Sequence, residues 1–296
     1  MFATEFAYHK ATSVADAIRL LETNPGSKVL AGGHGLIPLL KLRQARVSAV
    51  VDISGIAELK GITINNGTIR IGALTTHAEI AASQEIQAAW SVVSEAAEGV
   101  GDTQVRNRGT IGGNVSHADP ALDWPTVLTA LQASFVIQGP GTSPDGGSRT
   151  VAAGEFFKGL FETDLKANEV LTTVEVPRLR PNQRAEYAKM AHPATFYAVV
   201  GAAVVVDVDA DDRCTAASIA VGGLTPTPVR AASVERALVG QQLTQENIAA
   251  AATLVADDLG DNVTGDQVYA SAEYRRAMVA VELRHALNHA MGLAHH

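Results

Sequence analysis

Two short glycine segments are where this sequence could do chemistry. Ala31-Gly32-Gly33-His34-Gly35 follows the apolar run Lys28-Val29-Leu30. Thr110-Ile111-Gly112-Gly113-Asn114 follows Arg106-Asn107-Arg108-Gly109 and places three glycines within five residues. Adjacent glycines remove β-carbons and permit positive φ. A phosphate can then approach within hydrogen-bond reach of backbone N–H groups. Taken singly, a Gly-Gly pair after a strand is more often an ordinary turn than a phosphate cradle. The first loop has neither G-x-G-x-x-G nor G-x-x-x-x-G-K-[ST], so neither a Rossmann nor a P-loop site is expected.

Thr110 and Asn114 add a hydroxyl and an amide to the second loop. His117-Ala118-Asp119-Pro120-Ala121-Leu122-Asp123 comes next. A carboxylate at Asp119 or Asp123 could accept from a ribose hydroxyl, or cap the helix expected from Pro125. His34 has no nucleophile or orienting carboxylate nearby, so it is not expected to be a general base. The nine histidines do not cluster with acids at ligand spacing, and no metal site is expected. Cys214 is the single cysteine, too few for an internal disulfide, zinc site or iron–sulfur cluster. Any cluster chemistry must come from another chain.

The 296 residues suit one large domain or two to three smaller ones. With 47% hydrophobic and 18% charged residues, a buried core is easily built. The net charge of −8 argues against nucleic acid or an anionic membrane surface as the main partner. The N-terminus lacks the apolar core of a signal peptide, and Val199 to Val208 is too short to span a bilayer. A cytoplasmic protein is expected.

The elements that must position the loops can be read from pattern. Ser13 opens S-x-x-D before an apolar stripe at Val14, Ala17, Ile18 and Leu21, predicting a capped helix that ends at Asn24-Pro25-Gly26. Strands are expected at Lys28 to Leu30 and Ala49 to Ile53, with a helix over Ile37 to Leu42 between them. These form a small α/β unit ending near residue 56. A second unit begins with a hairpin around Asn65-Asn66-Gly67. Thr76-His77-Ala78-Glu79 reads as a capping box. Helices are expected over Ala88 to Glu98 and Pro125 to Leu131. Strands are expected at Ser134 to Gln138 and Val170 to Val176, with a turn over Gly139 to Gly147. The third unit has strands over Ala185 to Ala191, Val199 to Val208 and Ala217 to Val221. Helices follow over Ala232 to Leu238, Gln245 to Leu259 and Ala272 to Ala290. An antiparallel three-stranded sheet with helices on one side is predicted.

Together these segments resemble a known family. AGGHGLIPLLKLR with VVDISGIAELKGI is similar to the opening signature of the flavin-binding subunit of molybdenum hydroxylases, the xanthine dehydrogenase family. RNRGTIGGNVSHADPALDWP is similar to its second signature. EFFKGLFETDLKANEVLTTVEVP and AEYRRAMVAVELRHAL also fit. The likeness runs in order along nearly the whole chain and is greatest to medium subunits of aerobic carbon monoxide dehydrogenases.

The resemblance implies an α+β fold. A two-part α/β FAD-binding domain of the vanillyl-alcohol-oxidase type would occupy 1–56 and 57–177. A C-terminal sheet with a three-helix bundle would occupy 178–290. It implies that Ala31, Gly32, Gly33, His34 and Gly35, with Thr110, Ile111, Gly112, Gly113 and Asn114, hold the FAD pyrophosphate. It makes Asp123 an FAD contact and Leu171 a backbone contact near the ring. Lys189 and Tyr197 match positions beside the isoalloxazine. A tyrosine face suits such a ring, though a strand tyrosine can equally pack in a sheet core. Gly35 departs from the family's usual serine, and Phe196-Tyr197 from its Asp-Tyr. His34 resembles the carbon monoxide dehydrogenase branch, whereas glutamine is more common in related subunits acting with other substrates.

The resemblance further implies an electron-transfer flavoprotein without catalytic residues of its own. Molybdopterin would lie on a large partner chain and [2Fe-2S] clusters on a small one, in a dimer of heterotrimers. Electrons would leave to an acceptor such as a quinone, with room for peripheral contact with a membrane partner. Alternatives are a related hydroxylase acting on an aldehyde, purine or N-heterocycle, a self-contained FAD oxidoreductase, or a scaffold that has lost FAD.

Overall fold

The computed structural model describes residues 2–65, 67–141, 147–266 and 268–293. Asn66 of the expected hairpin turn, and most of the turn expected over 139–147, lie outside the described residues.

Strands β1 (Ala7–Lys10), β2 (Lys28–Leu30) and β3 (Ala49–Asp52) form a parallel sheet ordered β1-β3-β2. Helix α1 (Val14–Thr23) begins at Ser13, whose hydroxyl accepts from the Asp16 amide. Its stripe Val14, Ala17, Ile18 and Leu21 is buried. The sequence pattern does not reveal β1, because its four residues are exposed or half-buried. Pairing to the fully buried β3 holds it. β2 ends directly at the first glycine loop, and α2 (Leu36–Lys41) starts after it. The loop therefore sits at the carboxyl edge of a parallel sheet, the usual ligand edge of such sheets.

The second unit is a five-stranded antiparallel sheet, β4-β5-β10-β6-β7. Its strands are β4 (Ile62–Asn65), β5 (Thr68–Gly72), β6 (Ser134–Gln138), β7 (Arg149–Ala152) and β10 (Val170–Pro177). A small hairpin, β8 (Phe157–Gly159) with β9 (Glu162–Thr163), precedes β10. Helices α3 (His77–Ala82), α4 (Gln84–Ala89), α5 (Ser91–Glu98), α6 (Thr103–Arg106), α7 (Ile111–His117), α8 (Asp123–Ala130) and α9 (Ala153–Phe156) complete it. The capping box on α3 forms as expected, with both Thr76 and Glu79 bonds present. The single helix expected over Ala88 to Glu98 is instead α4 and α5, broken at Trp90. Trp90 leaves helical φ/ψ to donate its indole N–H to the Pro177 carbonyl.

The third sheet has four strands where three were predicted. β11 (Gln183–Ala191), β12 (Ala198–Val208), β13 (Cys214–Gly222) and β14 (Val229–Arg230) pair antiparallel in that order. β14 has only two residues, too few to show alternation. The helices are α10 (Ala232–Leu238), α11 (Gln245–Ala252), α12 (Val255–Leu259) and α13 (Ala272–Ala290). The helix expected over Gln245 to Leu259 is thus two.

All residues of β12 are buried, which explains its unbroken apolar sequence. Ala202, Val204 and Val206 face the C-terminal helices, while Ala203 and Val205 join the core of the second unit. The helices of the bundle cover one face, and the second unit covers the other. The C-terminal sheet is thereby locked to the elements that carry the second glycine loop.

Candidate functional site

The two glycine loops meet. A β-carbon on Gly32 would stand 2.0 Å from the Arg108 carbonyl oxygen and 3.1 Å from the Gly109 α-carbon. A β-carbon on Gly113 would stand 2.8 Å from the Thr110 hydroxyl and 3.7 Å from the Ala31 β-carbon. Only hydrogen at Gly32 permits this approach between backbones. Gly33 has φ +83°, a left-handed conformation that turns the chain into α2.

The loops present different faces. In the second, Ile111 N–H donates to the Thr75 carbonyl and Gly112 N–H to the Ala73 carbonyl, at 3.1 and 2.9 Å. Gly113 N–H donates to the capping Thr110 hydroxyl, and Asn114 N–H to the Thr110 carbonyl. These amides are engaged within the protein. Among the described residues, the amides of Gly32, Gly33, His34 and Gly35 carry no such bond. The second loop offers a side chain instead. The Asn114 Oδ1 is buried and has no hydrogen-bond partner. An unpaired buried amide oxygen calls for an explanation, and a ligand group beside it provides one. Free amides, close backbones and one waiting polar side chain fit a pyrophosphate.

Gly35 ends the first loop as the N-cap of α2, with no side-chain cap. A β-carbon there would lie 3.0 Å from the His117 ring. His117 closes α7 and packs its ring 5.3 Å from that of Phe161, which has φ +56° and is half exposed. Burial lowers the pKa of His117, with Asp119 opposing. His34 is exposed on the same loop.

The remaining site residues fall into a second group. Asp123 is buried, and its Oδ1 accepts from the Tyr187 hydroxyl at 2.7 Å and the Lys189 ammonium at 2.9 Å. Burial pushes this carboxyl up, and the Lys189 charge and both hydrogen bonds oppose the rise. Lys189 also donates to the carbonyls of Gly99 and Phe196, at 2.8 and 3.1 Å. It ties α8, the end of α5 and the β11–β12 turn to one another. Phe196 in that turn has φ +60°, and Tyr197 beside it is 43% exposed. Burial and Asp119 raise the pKa of the Tyr197 phenol.

Leu171 is buried in β10 at a bulge. The next carbonyl, Thr172, accepts from Ala73 N–H at 2.9 Å, so Leu171 backs the segment on which Gly112 packs. Neither Asp119 nor Asp123 caps α8. Leu122 is the N-cap, without a side-chain bond, and Asp119 instead forms a turn by accepting from Ala121 N–H. The carbonyls of Pro120 and Ala121 accept from Gly223 and Ala198 N–H, seating this turn on the C-terminal sheet.

Residues 4–179 match the family model described as the FAD binding domain in molybdopterin dehydrogenase. Residues 185–290 match the CO dehydrogenase flavoprotein C-terminal domain. The chain belongs to the FAD-binding subunits of the molybdenum hydroxylases. It is 36% identical to the carbon monoxide dehydrogenase medium chain of Hydrogenophaga pseudoflava, over 97% of this chain and 98% of that one. It is also 36% identical to the glyceraldehyde dehydrogenase medium chain of Sulfolobus acidocaldarius, over 95% and 96%. The solved carbon monoxide dehydrogenase from H. pseudoflava, lacking the Mo-pyranopterin moiety of its cofactor, superposes with a TM-score of 0.92 over 99% of each chain at 36% identity. This chain is therefore an oxidoreductase flavoprotein subunit that binds FAD.

The sequence pattern gives no sign that Tyr187 stands against Asp123 or Arg108 against Gly32. Asp123 and Tyr187 are 64 positions apart, and no local pattern links them.

Proposed function

We propose that this chain collects electrons from an iron–sulfur partner subunit and delivers them to an external acceptor such as a quinone. In this reading a molybdenum-containing large subunit oxidises the substrate, carbon monoxide, and the three chains assemble as a dimer of heterotrimers. Bound FAD supplies the chemistry, because a flavin exchanges electrons singly or in pairs. The chain's own residues bind and orient. The amides of Gly32 to Gly35 and the Asn114 side chain hold the pyrophosphate, with Ala31, Thr110, Ile111, Gly112 and Gly113 shaping the cleft. Asp123, Leu171, Lys189 and Tyr197 set the place of the ring. The chain works as three units, 1–56, 57–177 and 178–290.

The observation that carries this reading is the meeting of Gly32 with Arg108, together with the unpaired Asn114 oxygen on the second loop. One cysteine leaves clusters to another chain. His34 favours carbon monoxide by resemblance. The equal identity to a glyceraldehyde dehydrogenase chain favours an aldehyde as the second reading. Stopped-flow reduction tests the proposal. The isolated chain with FAD should not be reduced rapidly by aldehydes, alcohols, carbon monoxide or NADH. In the complex, carbon monoxide should reduce the flavin. Rapid reduction of the isolated chain would show a self-contained oxidoreductase.

A further inference from the structure

His77 is a buried titratable residue that the proposed function leaves unused. It is 2% exposed at the first position of α3. Its Nδ1 accepts the indole N–H of Trp124 at 3.1 Å, and the two rings lie 28° from parallel. With Nδ1 as acceptor, the neutral ring carries its proton on Nε2. The far edge of the ring faces Gly109. A β-carbon there would lie 2.9 Å from Cδ2 and 3.0 Å from Nε2. The His77 backbone N–H donates to the Gly109 carbonyl at 3.1 Å. His77 thus holds Gly109 by ring contact and by a backbone bond. Gly109 and its neighbour Arg108 are the residues that Gly32 touches on the second loop.

We propose that His77, oriented by Trp124, is a positioning residue for FAD: it braces Gly109 and so sets the separation of the two glycine loops. The surroundings keep the brace uncharged. Burial opposes protonation, as do the nearby His34 and Arg106, and the ring pKa falls to about 4. A charged ring would also lose the acceptor that Trp124 needs. The inference rests on FAD binding at the loops.

The test uses the full chain. The Kd for FAD comes from flavin fluorescence, and the setting of the pyrophosphate from its ³¹P resonances. His77→Ala should raise the Kd about tenfold, the size of losing one good contact, and shift the resonances. Trp124→Phe keeps the imidazole but removes its donor, and should move both readouts the same way. The double variant should change no more than His77→Ala alone. Wild-type Kd and resonances in either single variant would overturn the inference, even with a lowered Tm. Fully additive losses would overturn the link through Trp124. A wild-type chain that takes up no FAD would overturn the cofactor assignment itself. If His77→Ala does not fold, Trp124→Phe decides by the same readouts.

Discussion

Gly32 and Arg108 touch backbone to backbone, across the boundary between a parallel sheet unit and an antiparallel one. A β-carbon at residue 32 would stand 2.0 Å from the Arg108 carbonyl oxygen, far inside any real contact. Two loops that are individually ordinary turns thereby meet. Among the described residues, the first loop carries the amides without a protein partner, and the second carries the unpaired Asn114 oxygen.

Gly113→Val should abolish FAD binding. Its β-carbon would press on the Thr110 hydroxyl at 2.8 Å, breaking the cap of α7, and its branches would enter the cleft. A visible spectrum after incubation with excess FAD and desalting should show no flavin bands, while circular dichroism stays near wild type. Retained flavin bands would contradict the assignment of this loop.

Asn114→Leu should separate binding from stability. Leucine is close to isosteric and needs no hydrogen bond, whereas the buried Asn114 oxygen has none. An unsatisfied buried polar group costs about 1–3 kcal/mol. Urea unfolding of the FAD-free variant should show a stability gain of about 1 kcal/mol, with FAD affinity reduced about tenfold. Unchanged affinity would remove Asn114 from the site.

His77 should leave a signature in the pH dependence of stability. Its pKa falls from the ordinary 6.5 to about 4, chiefly through burial. Between these values the unfolded chain takes up a proton that the folded chain refuses. Stability therefore falls as pH drops through this window and levels off below about 4. The loss is on the order of 3 kcal/mol at the lower end. His77→Gln lacks this titration, so its stability should fall less than wild type between pH 7 and pH 4. Urea unfolding at several pH values checks it, and parallel curves would contradict the buried neutral ring.

Lys189→Met should destabilise the chain by about 3–5 kcal/mol, because it strands the buried Asp123 carboxylate. Asp123→Asn in the same chain should recover much of that loss. The turn carrying Tyr197 also loses its bond to Lys189 through Phe196, so flavin absorbance should shift in the single variant. Thermal unfolding and visible spectra of the single and double variants measure both effects.

The features legible in the sequence are those whose cause is local. Ser13 and Thr76 announce helix starts because capping needs a hydroxyl at one position and an acid three residues on. The glycine loops and the apolar run of β12 were visible for the same reason. What stayed hidden depends on distant partners. β1 has no apolar pattern and exists because β3 pairs with it. The break at Trp90 depends on the Pro177 carbonyl, 87 positions away. His77 stands in the sequence only as one residue of a capping box, and its contacts with Trp124 and Gly109 come from distant parts of the chain. Lys189 and Tyr197 are assigned to the ring through family resemblance, because spacing alone does not link them to the glycine loops.

The central claim is that the two loops form one FAD clamp closed at Gly32. The most direct measurement is an FAD fluorescence titration of wild type and Gly32→Ala, with circular dichroism of both. We predict one FAD per wild-type chain. In Gly32→Ala the added β-carbon forces Arg108 away, and binding should be lost with the secondary structure retained. A folded Gly32→Ala chain that binds FAD with wild-type affinity would contradict the account.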